Sequence, residues 1–463
     1  MKSIRMKRFI LTLSILSSLF PLHSQESFTL SEAITYGVES NRNIKIKQTD
    51  ILIADQQIKE YKATGMPKVT GSVNYQYYFR LPAQPTEDFL TPVLYEILFD
   101  ENVIERRDLG PPDVATLVFL RPHNLTGGID ASIMAFDGSY LTGIKAAKLY
   151  KELVKKEMDA TVEDIRANIT KAYMAVLIAE ETEKILMKNL ENLGKSLEEA
   201  RILYKEGFTE SLDEDRLALS YNNMATQVEK SRNGIHISKN LLKFHMGYPM
   251  EKEIGVKEDL ELLVRLTQTE IVDLNQPINY RNKAAYEVIE MGMELNLLDM
   301  ERYRKQSLPS LRLFLNAQNG LFRSNLFNSA EAGFIPSAFG GLGLSIPIYD
   351  GGDRQSRIQQ AKINADKTEI QLQEYIFTVQ MQVTNARLAL INARKELDNI
   401  QQSLIITERI YDKTQIKFRE GVGSSLEVTQ AEASLISSQT AYINALYDLI
   451  SAKTDLDIAL GNL

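Results

Sequence analysis

Few residues in this 463-residue chain have the types and spacing that chemistry needs. It has no cysteine, and its four histidines (His23, His123, His236, His245) show no ligand-like spacing, which removes thiol catalysis, disulfides and most zinc sites. Gly194-Lys195-Ser196 resembles the end of a phosphate-binding loop, but the glycine required five positions earlier is Asn189, and the stretch lies within a helical pattern. Phe339-Gly340-Gly341-Leu342-Gly343 lacks the spacing of a nucleotide-binding turn and reads as a strand thinned for crowding or bending. Acidic patterns remain. Ser424-x-x-Glu427 and Ser211-x-x-Glu214 each set a hydroxyl three residues before a carboxylate, as a capping box does, and Asp213 is the first-half counterpart of Glu427. No enzyme, cofactor or metal centre is expected from this set.

The elements that must position these residues begin after a leader. Lys2, Arg5, Lys7 and Arg8 precede an apolar run from Phe9 to Phe20 and then Pro21 to Ser24, the pattern of a secretory signal peptide over 1–24. Removing these four of the 53 Lys and Arg leaves 49 against 61 acids, a net charge of −12, which argues against a nucleic-acid partner. Hydrophobic residues at 44% and charged residues at 25% indicate ordered structure. No later stretch reaches the length of apolar sequence that a membrane helix needs, so any contact with a bilayer falls to strands.

The chain is an internal duplication. Tyr204-Lys205-Glu206-Gly207 aligns with Phe418-Arg419-Glu420-Gly421, and the same shift pairs Ser211-Leu212 with Ser425-Leu426 and Gly247 with Gly461. Ala135-Phe136-Asp137-Gly138 likewise matches Ile348-Tyr349-Asp350-Gly351. The first repeat is expected over 25–247, a linker over 248–276 and the second repeat over 277–463. The first repeat carries extra residues over 81–123, proline-rich and charged, which read as a long loop.

Each repeat passes from helix to strand and back. Phe28 to Ala63 reads as one helix opened by Thr29-Leu30-Ser31-Glu32. Val69 to Arg80 alternates, with Val69, Val73, Tyr75, Tyr77 and Phe79 on one face and Asn74, Gln76 and Arg80 on the other. Leu125 to Phe136, Leu311 to Phe322 and Phe339 to Ile348 are three further strands. Ser139 to Glu206 and Asp353 to Glu420 contain no proline and read as rods of roughly 100 Å each, with an alanine-rich seam through positions 361, 365, 379, 386, 389, 393 and 410 of the second. Each rod stops at a glycine, Gly207 or Gly421, and a shorter helix runs back from it.

Strands of this length with one apolar and one polar face suit a bilayer, but four cannot close a barrel, and an open edge in lipid leaves backbone groups without partners. Several chains must therefore share one barrel. Two chains give eight strands and three give twelve, and only the larger leaves obvious room for water lined by Asn74, Gln76, Arg80, Asp130 and Asn316, which favours three. The twofold repeat, the Tyr/Phe-x-Glu-Gly-x-x-x-Ser-Leu tips, the Asp-Gly pairs and the terminal Leu460-Gly461 resemble TolC-family outer-membrane efflux proteins over nearly the whole mature chain. The resemblance implies a mainly α fold with a small β part, in a homotrimer whose twelve-stranded barrel continues into a periplasmic α-barrel. It implies an equatorial region near Gly247 to Gln276, without the C-terminal extension of some relatives. It also implies a passive exit duct in the outer membrane, fed by a periplasmic adaptor and an inner-membrane RND or ABC pump. The adaptor would dock at the tips around Gly207, Ser211, Leu212, Gly421, Ser425 and Leu426. Glu427, and secondarily Asp213, would contribute a carboxylate ring at the periplasmic entrance, with Gln430 where some relatives carry a second acid. The lipid anchor of many relatives is not expected in a chain without cysteine. The competing expectation is a non-transporting exported coiled-coil spacer or adhesin whose strands pack only on one another.

Overall fold

A computed structural model describes residues 26–108, 110, 114–118, 120–260, 277–327, 330 and 333–462. The expected signal peptide and the second half of the expected linker lie outside these residues. In chain order the elements are β1 (Glu26–Phe28), α1 (Leu30–Ser40), α2 (Arg42–Ala63), β2 (Lys68–Tyr77), β3 (Gln84–Glu87), α3 (Leu90–Asp100), β4 (Val114–Leu117), β5 (His123–Phe136), α4 (Tyr140–Lys205), α5 (Ser211–Met246), β6 (Ile254–Val256), α6 (Ala284–Lys305), β7 (Ser310–Arg323), β8 (Ile335–Ser345), α7 (Asp353–Arg419) and α8 (Ser425–Leu460). The fold is mainly helical with a small antiparallel sheet, and the two longest helices, α4 and α7, have 66 and 67 residues. Among the described residues no helix is long and apolar enough to cross a membrane.

The long helices start and stop within a residue or two of the positions expected from the repeat. Gly207, Gly247, Gly421 and Gly461 sit at φ of +78°, +69°, +72° and +74°, the left-handed conformation that closes a helix end and that L side chains adopt only at a cost. The expected helix Phe28–Ala63 is in fact two. Asn41 breaks it with extended backbone (φ −60°, ψ 134°), donates from Nδ2 to the His245 carbonyl at 2.7 Å and accepts from the Asn43 amide at 2.8 Å. Asparagine competes well for backbone partners, and here a partner 204 residues away fixes the break. The capping box at Thr29 and Glu32 is present in full.

The chain falls into two compact units. The first comprises the described parts of Met1–Asp55, Leu149–Leu295 and Ile363–Leu463. Its core joins α1, α4, α5, α7 and α8 through Ala33, Tyr173, Ile169, Leu242, Met246, Leu390, Leu446 and Leu449, all at most 2% exposed. The expected linker is partly structured: β6 pairs in parallel with β1, and Tyr248 packs edge-on to Phe28 at 5.8 Å. Along α7 the seam keeps its three-four spacing, through Val379, Val383, Ala386, Leu390, Ala393, Leu397, Tyr411 and Phe418. Two expected seam positions miss it. Ala389 and Ile410 are exposed, and Leu390 and Tyr411 beside them are buried, because alanine-rich sequence fits neighbouring phases about equally well.

The second unit is Gln56–Lys148 with Asn296–Lys362, and contains a four-stranded antiparallel sheet in the order β2-β5-β7-β8. The expected long loop 81–123 also holds elements of its own, a β3–β4 hairpin and α3, whose Leu90, Val93, Leu94 and Ile97 are exposed. Glycines in this unit admit aromatic rings: a Cβ on Gly143 would sit 2.3 Å from the Tyr61 ring, and one on Gly341 would sit 2.8 Å from the Phe314 ring.

Candidate functional site: the hairpin tips and the two-faced sheet

Side chains directly opposite one another in an antiparallel sheet share a face, so the strand register sorts every residue. One face carries Val69, Val73, Tyr75 and Tyr77 of β2, Ala131, Ile129 and Leu125 of β5, Leu311, Leu313, Leu315 and Ala317 of β7, and Leu344, Leu342 and Ala338 of β8. This face is mainly apolar on all four strands, with His123, Asn319 and Arg323 at one end, and Val73 and Leu342 are 77% and 69% exposed. The other face brings together four of the five residues expected to line water. Asn74 lies opposite Thr126 and Gln76 opposite Asn124, while Asp130 accepts from the Asn316 amide at 2.6 Å. On this face Arg312 also donates to Ser132 at 2.6 Å across the β5–β7 pairing. Arg80 does not join them, because β2 ends at Tyr77 and Arg80 lies in the bend that follows. Sequence alternation missed Phe314 and Phe339, which share the polar face as an edge-on pair 6.4 Å apart. Their partners across the strands, which the register alone reveals, place them there.

In the first unit the two repeats build their tips alike. The Gly207 amide donates to the Tyr204 carbonyl at 3.0 Å and Phe208 to Leu203 at 2.8 Å; in the second repeat Gly421 bonds Phe418 and Val422 bonds Lys417, both at 3.0 Å. The helix starts that follow differ. Ser424 caps α8 by accepting from the Glu427 amide at 3.3 Å, whereas the residue preceding α5 is Glu210, with no side-chain cap. Ser211 is therefore the first helical residue and not the cap expected of it, and Glu214 instead receives Arg201 Nε at 3.1 Å. Glu427 is exposed on the first turn of α8.

Asp213 ties the two tips together. Its carboxylate accepts from the Ser425 hydroxyl of the other repeat and from Thr209 Oγ1 at 2.5 Å. Partial burial works to raise its pKa, but these two hydroxyls, together with a backbone hydrogen bond at Glu210 and the charge of Arg216, outweigh burial and hold the carboxyl below the ordinary aspartate range. Ser425 is fully buried, so of the tip residues singled out by the sequence it offers no docking surface, while Leu212 and Leu426 are 48% and 53% exposed beside Phe208 and Val422. Beneath the tips Leu193, Leu197, Leu217, Phe418 and Val428 form one cluster drawn from both hairpins. The Gly194-Lys195-Ser196 stretch is helical, with Lys195 paired to Glu191 at 2.8 Å and the Ser196 hydroxyl turned to the Asn192 carbonyl, so it forms no phosphate loop.

This geometry positions surfaces and a link between helices. Comparison with known proteins gives these surfaces a context. A family model described as "Outer membrane efflux protein" matches residues 300–462. The chain is 21% identical over 366 residues to the cobalt-zinc-cadmium resistance protein CzcC of Cupriavidus metallidurans, covering 78% of this chain and 83% of that one. It is 22% identical over 347 residues to the outer membrane protein TolC of Escherichia coli K12, covering 68% of this chain and 66% of that one. The fold superposes on the crystal structure of CusC with a TM-score of 0.70 over 96% of this chain and 95% of that one, at 15% identity. Residues 300–462 thus match the outer membrane efflux protein family, and the chain as a whole is similar in sequence and in fold to TolC-like outer-membrane channels.

Proposed function

We propose that three copies of this chain share a twelve-stranded barrel in the outer membrane. Helices of the three copies form a periplasmic tunnel, and the duct passively conducts substrate delivered by a periplasmic adaptor and an inner-membrane pump. The observation that carries this reading is the four-stranded sheet, apolar on one face and polar on the other, with β2 and β8 each paired on one side only among the described residues. An apolar face so exposed fits lipid, and the two free edges fit the edges of neighbouring copies, which removes the unpaired backbone groups that lipid does not tolerate. The polar face, with Asn74, Gln76, Asp130 and Asn316, then lines water.

The exposed tip residues Phe208, Leu212, Val422 and Leu426 suit the hairpins of an adaptor, and the Asp213–Ser425 link holds the two tips together at the periplasmic entrance. Glu427, repeated around a threefold axis, would set three carboxylates there. Cargo selection is assigned to the pump, since the polar face carries general hydrogen-bonding groups such as Asn74, Gln76 and the Asp130–Asn316 pair. Purification in detergent followed by planar-bilayer recording tests the reading: a heat-labile trimer with ionic conductance is expected, and a soluble, non-conducting monomer overturns it.

A further inference from the structure

The stripe along which α8 packs near the tip is apolar but for Ser425, the first helical residue, and one carboxyl. Ser425, Val428, Glu432 and Leu435 follow one another at steps of three and four, on one helix face, and all are buried. Glu432 is 4% exposed, and its Oε1 has no hydrogen-bond partner. The side-chain amide of Gln415 nearby is directed elsewhere. Gln415 Nε2 on α7 donates to the Tyr411 hydroxyl at 2.8 Å and to the Ser196 hydroxyl on α4 at 3.1 Å. Tyr411 of α7 lies close enough to feel the Glu432 charge, Asp412 and Arg419 of α7 and Glu199 of α4 act on that tyrosine in turn, and no ion pair to Glu432 occurs among the described residues. Ser425, two turns away on the same stripe, is the residue that holds Asp213 of the first repeat.

We propose that Glu432 is a proton-held clasp on the tips: protonated, it fits the seam and lets Ser425 stay closed on Asp213, whereas ionised and unpaired it cannot remain buried, so α8 parts from its neighbours and releases the tip. An uncompensated charge in such a seam is far costlier than a neutral carboxyl. The clasp rests on reading the tips as the closed entrance of the duct. Burial raises the Glu432 pKa to about 8, so the closed seam binds the proton more tightly than an opened, hydrated one. Closure is therefore strongest below the ordinary carboxyl range and weakens by about tenfold per pH unit as pH rises, until the group is ionised above about 8.

The chain has no cysteine, so nitroxide labels can be placed by Phe208→Cys and Val422→Cys at two exposed tip positions of the full-length trimer in detergent. Pulsed electron resonance at about pH 6 and about pH 9, on either side of the titration, reads the distance between the tips. The labels are expected to show a narrow distribution at the lower pH that broadens at the higher, and Glu432→Gln and Glu432→Leu are each expected to keep it narrow at both. Labels that do not respond to pH with Glu432 in place, or a response that survives in both variants, overturn the clasp. Bilayer conductance separates this from the duct reading: conduction with labels that never move leaves the duct and rejects the clasp, and labels that move in a protein that never conducts support the clasp and reject the duct.

Discussion

At the scale of single residues, the tips carry two acids of unlike standing. Asp213 is held by two hydroxyls and joins the repeats, while Glu427 is exposed and its amide is taken by the Ser424 cap. Replacing Asp213 with Ala removes two charge-assisted bonds and leaves the buried Ser425 hydroxyl without its acceptor. About 1–3 kcal/mol of tip closure is then lost, and a higher open-channel conductance is expected in planar bilayers. Glu427→Gln leaves the cap intact, because the bond uses the backbone amide, but removes the charge. Cation selectivity is expected to weaken, measured as a reversal potential under a salt gradient; an unchanged potential rejects the carboxylate ring. The acids and hydroxyls were legible in the sequence, since the repeat register singles them out. That Asp213 grips Ser425 was not, because 212 residues separate them and no local rule connects the two.

At the scale of elements, glycine has two opposite uses in the long helices. Gly421 ends α7 in the left-handed region, and Gly421→Ala is expected to lower stability by about 1 kcal/mol per chain. Gly194 lies inside α4, where an added Cβ would meet the Tyr221 ring at an ordinary 3.4 Å, so Gly194→Ala is expected to raise stability by up to about 1 kcal/mol. Thermal unfolding followed by circular dichroism compares the two, and like signs would contradict this account. The helix ends could be read from sequence because a glycine after a long proline-free run is a local signal. The break at Asn41 and the phase of the α7 seam could not, because each is settled by a partner distant in sequence, the His245 carbonyl in one case and the facing helices in the other.

At the scale of the whole molecule, the two faces of the sheet demand different surroundings. Val73→Arg puts a charge on the apolar face and is expected to cost about 2–4 kcal/mol at mid-bilayer depth, reducing the yield of assembled trimer on unheated gels. Ser72→Arg, one residue away on the opposite face, is expected to assemble normally and to alter single-channel conductance. Equal effects of the two on assembly would reject the assignment of faces. By itself the sequence determined the duplication, the span of each long helix, the glycine stops and the alternation of the four strands, because periodicity and backbone preference act over a few residues at a time. Only the tertiary structure decided that β5 pairs with β7 across the two repeats, that Phe314 and Phe339 share the polar face, that Arg80 falls beyond its strand, and that Glu432 is buried with its Oε1 lacking a hydrogen-bond partner. Those outcomes depend on which distant segments meet, and burial is a property of the packed neighbours, which no local pattern in the chain specifies.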